Sequence, residues 1–252
     1  MLTSQRKQHI LNVLRRDGQV IAKALSQELG LSEDTIRRDL RELAQEGLLQ
    51  RVHGGALPAS PAVANFARRE EILVDEKVAI GRAAAQLIRD GQVVMLDGGT
   101  TAAQVARYLS PNLQATIVTH SASIALELVD HPSVEVILIG GRLFKHSIVS
   151  VGAAAIEAIS HIRADLFFMG VTGIHPEAGL STGDLEEAYV KRALCRQAAE
   201  TFVLASQEKL GAASQYVITS LSDVTGLIVE QDVPDEILAP YIDMGLTVIR
   251  AQ

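Results

Sequence analysis

From residue 92 onward the chain repeats one pattern: a short apolar run, a knot of small or polar residues, then a helical stretch. Gln92-Val-Val-Met-Leu96 runs into Asp97-Gly-Gly-Thr-Thr101 and a helix reaching Leu109. Ala115-Thr-Ile-Val118 runs into Thr119-His-Ser121 and a helix over 123–129. Val134-Glu-Val-Ile-Leu-Ile139 ends at Gly140-Gly141, and Asp165-Leu-Phe-Phe-Met169 ends at Gly170-Val-Thr-Gly173. Thr201-Phe-Val-Leu-Ala205 leads to Lys209, and Leu227–Val229 and Leu246–Ile249 close the series. Further helices are expected over 75–89, 185–199 and 235–242. Apolar runs without polar alternation suit strands buried on both faces, and strands separated by helices pair in parallel. The pattern predicts an open, largely parallel α/β sheet with helices on both faces.

The first 58 residues break that pattern. Residues 5–16 read as a helix with Ile10, Val13 and Leu14 inward, stopped by Asp17-Gly18. Val20-Ile21 form a short bridge before a second helix, Ala22–Leu29, which Gly30 ends as a left-handed cap would. A third helix follows at once. Ser32 can cap it, and Glu33 and Asp34 suit the positive end of its dipole. Ile36, Leu40 and Leu43 make one buried stripe, with Thr35 and Arg37 on its flanks and Arg38, Arg41 and Gln45 pointing away. Leu49–Val52 and a turn at Gly54-Gly55 read as a β-hairpin with Arg51 and His53 near its tip. Helix, Gly-bearing turn, helix and hairpin in this order make a winged helix-turn-helix, which sets a helix in the DNA major groove. Arg37, Arg38 and Arg41 alone would be read as a solvated face balanced by Asp39 and Glu42; the wing tips the reading toward DNA.

Charge divides the same way. Residues 1–58 hold nine Lys/Arg against seven Asp/Glu, and the remainder fourteen against twenty-three, within a net charge of −7. So small a positive excess implies placed arginines and a dimer that doubles the phosphate contacts. Pro58-Ala-Ser-Pro61 breaks regular structure, which predicts a division into 1–58 (DNA-binding), 59–74 (linker) and 75–252 (α/β). Arg68-Arg69 in the linker suit a phosphate, a neighbouring subunit or plain solvent. One cysteine, Cys195, excludes an intrachain disulfide. The N-terminus lacks the apolar run of a signal peptide, and no stretch approaches the ~20 apolar residues of a membrane span. A cytoplasmic protein without membrane partners is the expectation.

Open α/β sheets bind ligands at the carboxyl ends of their strands. There Asp97-Gly98-Gly99-Thr100-Thr101 offers backbone N–H groups, hydroxyls and a helix N-terminus, a cradle suited to phosphate, though also an ordinary βα turn. Thr119, Ser121, Gly141, Gly170, Gly173 and Lys209 lie at the ends of neighbouring strands. Glu187 and Lys191 stand four apart on one helix: a surface salt bridge, or a carboxylate for sugar hydroxyls. His120, His146 and His175 show no ligand spacing. Neither Walker A nor G-x-G-x-x-G is present, so no nucleotide cofactor is expected.

Thr35-Ile-Arg-Arg-Asp-Leu40, Arg51-Val-His-Gly-Gly55, Asp97-Gly-Gly-Thr-Thr101, Ile139-Gly-Gly141, Gly170-Val-Thr-Gly173 and Lys209 stand in the order seen in DeoR-type bacterial transcription regulators. The chain resembles that family from about residue 3 to its end. The resemblance implies a winged helix-turn-helix joined to a sugar-phosphate sensor related to ribose phosphate isomerases. Members are mostly repressors of carbohydrate operons that a phosphorylated sugar releases from DNA. Carried over, Ser32, Thr35, Arg37, Arg38, Arg41, Arg51 and His53 would meet operator DNA, and Asp97, Gly99, Thr100, Thr101 and Lys209 the effector. Two departures stand out: Ser206 where the family has an aspartate three residues before the lysine, and Glu230 where it favours an aspartate ending the penultimate strand.

Three functions compete. A repressor would be a homodimer or homotetramer whose paired heads match half-sites about one DNA turn apart. Ligand closing the α/β domain would change their spacing, and the sign of the response stays open. A sugar-phosphate isomerase with an accessory DNA-binding domain would need a carboxylate base from Asp97, Glu186 or Glu187. The acid-free Gly170–Gly173 stretch speaks against it. A protein-docking module has only the acidic net charge in its favour.

Overall fold

The computed structural model describes residues 2–60, 66, 71 and 73–252. Its N-terminal part comprises helices α1 (Thr3–Asp17), α2 (Ala22–Leu29) and α3 (Glu33–Gln45), with strands β1 (Val20–Ile21), β2 (Leu49–Val52) and β3 (Gly55–Pro58). Ser32 caps α3, its hydroxyl accepting the Thr35 N–H at 3.2 Å. Ile10, Leu14, Leu25, Ile36, Leu40, Leu43 and Leu49 close one small core. The strands form a sheet in the order β1-β3-β2.

Two details differ from the expectation. The hairpin pairs Val52 with Gly55, so its two-residue turn is His53-Gly54 rather than Gly54-Gly55. Gly55 belongs to β3, where a Cβ would lie 1.8 Å from the Val20 carbonyl oxygen; glycine is there because β1 passes so close. Asp39, expected as a surface counter-charge, is wholly buried, its carboxylate gripped by the Arg6 side chain of α1.

The larger part continues through α4 (Val74–Ala85), β4 (Val93–Leu96), α5 (Thr100–Arg107), β5 (Thr116–Thr119), α6 (Ala122–Glu127), β6 (Glu135–Leu138), β7 (Arg142–Phe144), β8 (Val149–Val151), α7 (Ala153–Ser160) and β9 (Ala164–Gly170). It ends with β10 (Gly173–His175), β11 (Gly179–Thr182), α8 (Leu185–Gln197), β12 (Ala198–Leu204), β13 (Tyr216–Thr219), β14 (Gly226–Glu230), α9 (Asp235–Asp243) and β15 (Thr247–Ala251). Seven strands form one sheet in the order β15-β14-β12-β9-β4-β5-β6, each pair parallel. Met95 of β4 packs into a core with α8 and α9, while Val94 and Leu96 pack into a second core with α4 and α5. Both faces are dry, as unalternating apolar strands require.

Three features were not expected: the β7–β8 hairpin, helix α7, and a second antiparallel sheet in the order β10-β11-β13. Their strands are only three or four residues long. Three residues of the expected linker, Ala59, Ser60 and Phe66, are bonded to the α/β part. Ala59 bridges Ala213 in parallel, the Ala213 N–H donates to the Pro58 carbonyl at 3.2 Å, and the Ser60 hydroxyl donates to the Thr172 carbonyl. The Phe66 N–H donates to the His146 carbonyl at 3.1 Å. Arg68 and Arg69 lie outside the described residues. No helix among the described residues is long and apolar enough to cross a membrane.

Candidate DNA interface and ligand cavity

Helix α3 carries both acids and arginines, and the fold sorts them. Arg6 takes Asp39, Lys7 takes Glu42 at 3.1 Å and Glu46 at 2.9 Å, and Arg37 pairs with Glu33 at 2.7 Å. Arg38 and Arg41 remain exposed, and no acid among the described residues pairs with them. Asp34 stays exposed in the first turn. Arg51 and His53 are exposed on the wing, and the Thr35 hydroxyl lies 3.0 Å from that of Ser32. The structure therefore presents two unneutralised guanidinium groups on one side of α3, with Arg51 and His53 on the adjoining hairpin. That juxtaposition suits a phosphate-lined groove.

A cavity of about 420 Å³ opens at the carboxyl ends of β4, β9 and β12. Gly99, Thr100 and Thr101 line it after β4, Gly170 to Thr172 after β9, and Glu208 and Lys209 after β12. Lys77 of α4, Phe144, His146 and Ser147 of the β7–β8 hairpin, and Asp184, Glu187 and Lys191 at the start of α8 complete the wall. Gly99 holds φ +116°, which directs the backbone into the N-terminus of α5 and leaves its first N–H groups for an anion. Lys209 is buried, and its Nζ donates to the Leu204 carbonyl at 3.3 Å.

Asp97 stands behind this wall and does not line it. Its wholly buried carboxylate accepts the N–H groups of Gly98 and Gly170, each at 2.8 Å. It also pairs with the Lys191 ammonium and lies 2.8 Å from His120 Nε2. Burial pushes the carboxyl upward, but Lys191 and His120 outweigh it and hold the pKa at about 2. Asp97 thus ties the phosphate-type turn to β9 and α8, a positioning role rather than the expected contact to effector. Lys191 does not form the surface pair with Glu187 that their spacing suggested, because it turns inward to Asp97.

Thr119, Ser121 and Gly141 also stand off the cavity. Thr119 Oγ1 accepts the Ser121 N–H at 3.1 Å, and the Ser121 hydroxyl donates to the Ile148 carbonyl at 3.3 Å. A Cβ on Gly141 would lie 2.9 Å from the Val151 carbonyl oxygen. These residues dock the β7–β8 hairpin on the main sheet, and the hairpin carries Phe144, His146 and Ser147 to the cavity. Gly99, Thr100, Thr101, Glu187 and Lys209 do line it. Sequence reasoning missed Lys77, Phe144, His146, Ser147, Thr172, Asp184 and Glu208. Thr172 between Gly170 and Gly173, Asp184 three residues before Glu187, and Glu208 beside Lys209 stood near expected sites; the others did not.

The two departures meet here. Ser206 is buried, and its hydroxyl donates to Glu208 Oε1 at 2.7 Å. Glu230 Oε1 accepts the Gln207 N–H at 3.0 Å, and burial pushes its carboxyl above the usual range. A carboxylate still reaches the cavity, from position 208 instead of 206.

Comparison with known proteins accords with this architecture. Residues 6–61 match the family model of the DeoR-like helix-turn-helix domain, and residues 73–231 that of the DeoR C terminal sensor domain. The HTH-type transcriptional regulator GolR of Listeria innocua is 32% identical over 254 residues, covering 100% of both chains. The HTH-type transcriptional repressor GlcR of Bacillus subtilis is 32% identical over 245 residues, covering 96% of this chain and 94% of that one. A solved ribose 5-phosphate isomerase A from Methanocaldococcus jannaschii is 18% identical with a TM-score of 0.40 over 54% of each chain, a likeness too slight to carry an argument. Two family models that together span nearly the whole chain, and relatives matched end to end, establish that this chain belongs to the DeoR family of DNA-binding transcription regulators.

Proposed function

We propose that the chain represses a carbohydrate-metabolism operon and leaves its operator when a phosphorylated sugar enters the cavity. Residues 1–58 form the DNA-binding head, 59–74 the connection, and 75–252 the sensor. Ser32, Thr35, Arg37, Arg38, Arg41, Arg51 and His53 face operator DNA; Gly99, Thr100, Thr101, Glu187 and Lys209 face the sugar phosphate. A homodimer or homotetramer sets two heads on paired half-sites. The protein works in the cytoplasm and catalyses no reaction.

One observation carries this reading: the residues leaving the wing are hydrogen-bonded to the cavity's own wall. Ser60 donates to Thr172, which lines the cavity, and Pro58 accepts from Ala213, four residues beyond Lys209. Ligand that moves either wall moves the root of the wing. A coupling of about 1–3 kcal/mol would weaken operator binding roughly 5–150-fold.

Footprinting on the DNA upstream of the gene itself and its neighbours, repeated with a panel of sugar phosphates, tests the proposal. A protected site lost on adding one sugar phosphate is expected; protection indifferent to every member of the panel counts against it. Arg38→Ala should lose about 1–3 kcal/mol of base discrimination at one position of each half-site. Binding to a set of single-base operator variants reads this directly, and an unchanged preference removes Arg38 from base readout. Ser60→Ala should keep operator affinity yet shrink ligand-induced release severalfold, since one hydrogen bond contributes about 1 kcal/mol. Full release by the same concentration of effector would show that the coupling runs elsewhere.

The isomerase reading rests on Glu187, a cavity carboxylate. The Gly170–Gly173 turn offers no second acid, and isomerisation of pentose or hexosamine phosphates, abolished in Glu187→Gln, is the result that would revive it.

A further inference from the structure

Three carboxylates, those of Asp184, Glu187 and Glu208, line the cavity beside the three ammonium groups of Lys77, Lys191 and Lys209. Asp184 is occupied as the cap of α8, accepting the Glu187 N–H at 3.0 Å, and Lys191 is neutralised by Asp97. Glu187 is 7% exposed and lines the cavity, and no donor among the described residues reaches its carboxylate. Glu208 lines it too; Ser206 satisfies Oε1, but Oε2 is shut off from solvent and no donor among the described residues reaches it. A carboxylate oxygen cut off from both water and donors is unfavourable. Two carboxylates around one small cavity repel each other, and a phosphate dianion seated beside Lys209 adds to the repulsion.

Hydroxyl groups would supply hydrogen bonds but no charge. An ammonium supplies both, and a charge-assisted bond is about twice as strong as a neutral one. The terminal torsion of a glutamate is soft, so Oε2 of Glu208 can turn to such a group without backbone movement. Accepting the cavity as a sugar-phosphate site, we propose that its ligand carries a protonated amine as well as a phosphate, and that Glu208, together with Glu187, selects this amino sugar phosphate over its neutral counterparts.

Calorimetric titration of the full chain against matched ligands tests this. The pairs are glucosamine 6-phosphate with glucose 6-phosphate and galactosamine 6-phosphate with galactose 6-phosphate; N-acetylglucosamine 6-phosphate is the uncharged nitrogen control, and inorganic phosphate the fragment. In at least one pair the amine should bind about tenfold tighter than the hydroxyl. The N-acetyl compound should gain nothing over the hydroxyl. Glu208→Gln should bring the pair to near equality, and Glu187→Gln should do so independently if one variant folds poorly by circular dichroism. Equal binding within both pairs, a preference for the N-acetyl form, or a preference that survives both substitutions overturns the proposal while leaving the sugar-phosphate reading intact. If no sugar phosphate and no inorganic phosphate binds, that underlying reading falls and takes this one with it.

Discussion

Asp97→Ala should destabilise the sensor by about 3–5 kcal/mol, because it strands the buried Lys191 ammonium and frees two buried N–H groups. Domains of this kind are stable by only about 5–15 kcal/mol, so the variant should unfold at much lower urea and lose its ligand response. The acid limb of stability gives a second signature. The carboxyl sits at about 2 in the folded protein against an ordinary value of 3.8. A lowered pKa contributes stability that is whole above the ordinary value and lost as pH falls toward the folded one. Roughly 2 kcal/mol should therefore disappear between about pH 4 and pH 2 in the parent protein and not in the variant. Urea midpoints across that window check both claims. A variant as stable as its parent at pH 7 would mean that Lys191 finds Glu187 when Asp97 is gone.

Asp39→Ala should abolish operator binding although Asp39 faces no DNA. The residue is wholly buried and Arg6 is 5% exposed, so truncation leaves a buried guanidinium with no carboxylate, at a cost of about 3–5 kcal/mol. The helix-turn-helix is small, and a loss of that size removes α3 from its seat against α1. Fluorescence anisotropy with operator DNA and a melting curve of the full chain read the two consequences together. The double variant Arg6→Met/Asp39→Leu separates structure from chemistry, because an apolar pair often replaces a buried ion pair without loss. Restored DNA binding in that variant assigns Asp39 to the scaffold. Binding that stays lost, in a protein that melts normally, would assign it to recognition.

These cases show where the sequence was legible. The stripe Ile36, Leu40 and Leu43 and the cap Ser32 follow from local periodicity and capping, and they stand as read. Each strand of the seven-stranded sheet was visible as an apolar run: central β4 is buried on both faces, and edge strand β6 keeps its apolar run although Ile137 and Leu138 are exposed. The hairpin β7–β8 and the sheet β10-β11-β13 were not: β7, β8 and β10 are three residues long, and β11 is mostly Gly, Ser and Thr. At the cavity, Thr100, Thr101 and Lys209 were found from their place after strands. Asp97, Thr119 and Ser121 were placed on the wrong side of the wall, since chain position fixes the neighbourhood of a side chain and not its direction.

Residue order alone determined the winged helix-turn-helix, the parallel sheet and the end of the sheet where a ligand would sit. These depend on period, glycine and strand polarity, which are local quantities. Tertiary structure decided which charges are spent inside the protein and which remain to meet a partner. Arg6 and Lys7, on α1, take Asp39 and Glu42 from α3 and Glu46 at its end, and so leave Arg38 and Arg41 unpaired among the described residues. Lys191 takes Asp97 and leaves Glu187 facing the cavity. An ion pair forms between whichever groups the fold brings within a few ångströms, and these partners lie up to 94 residues apart in the chain.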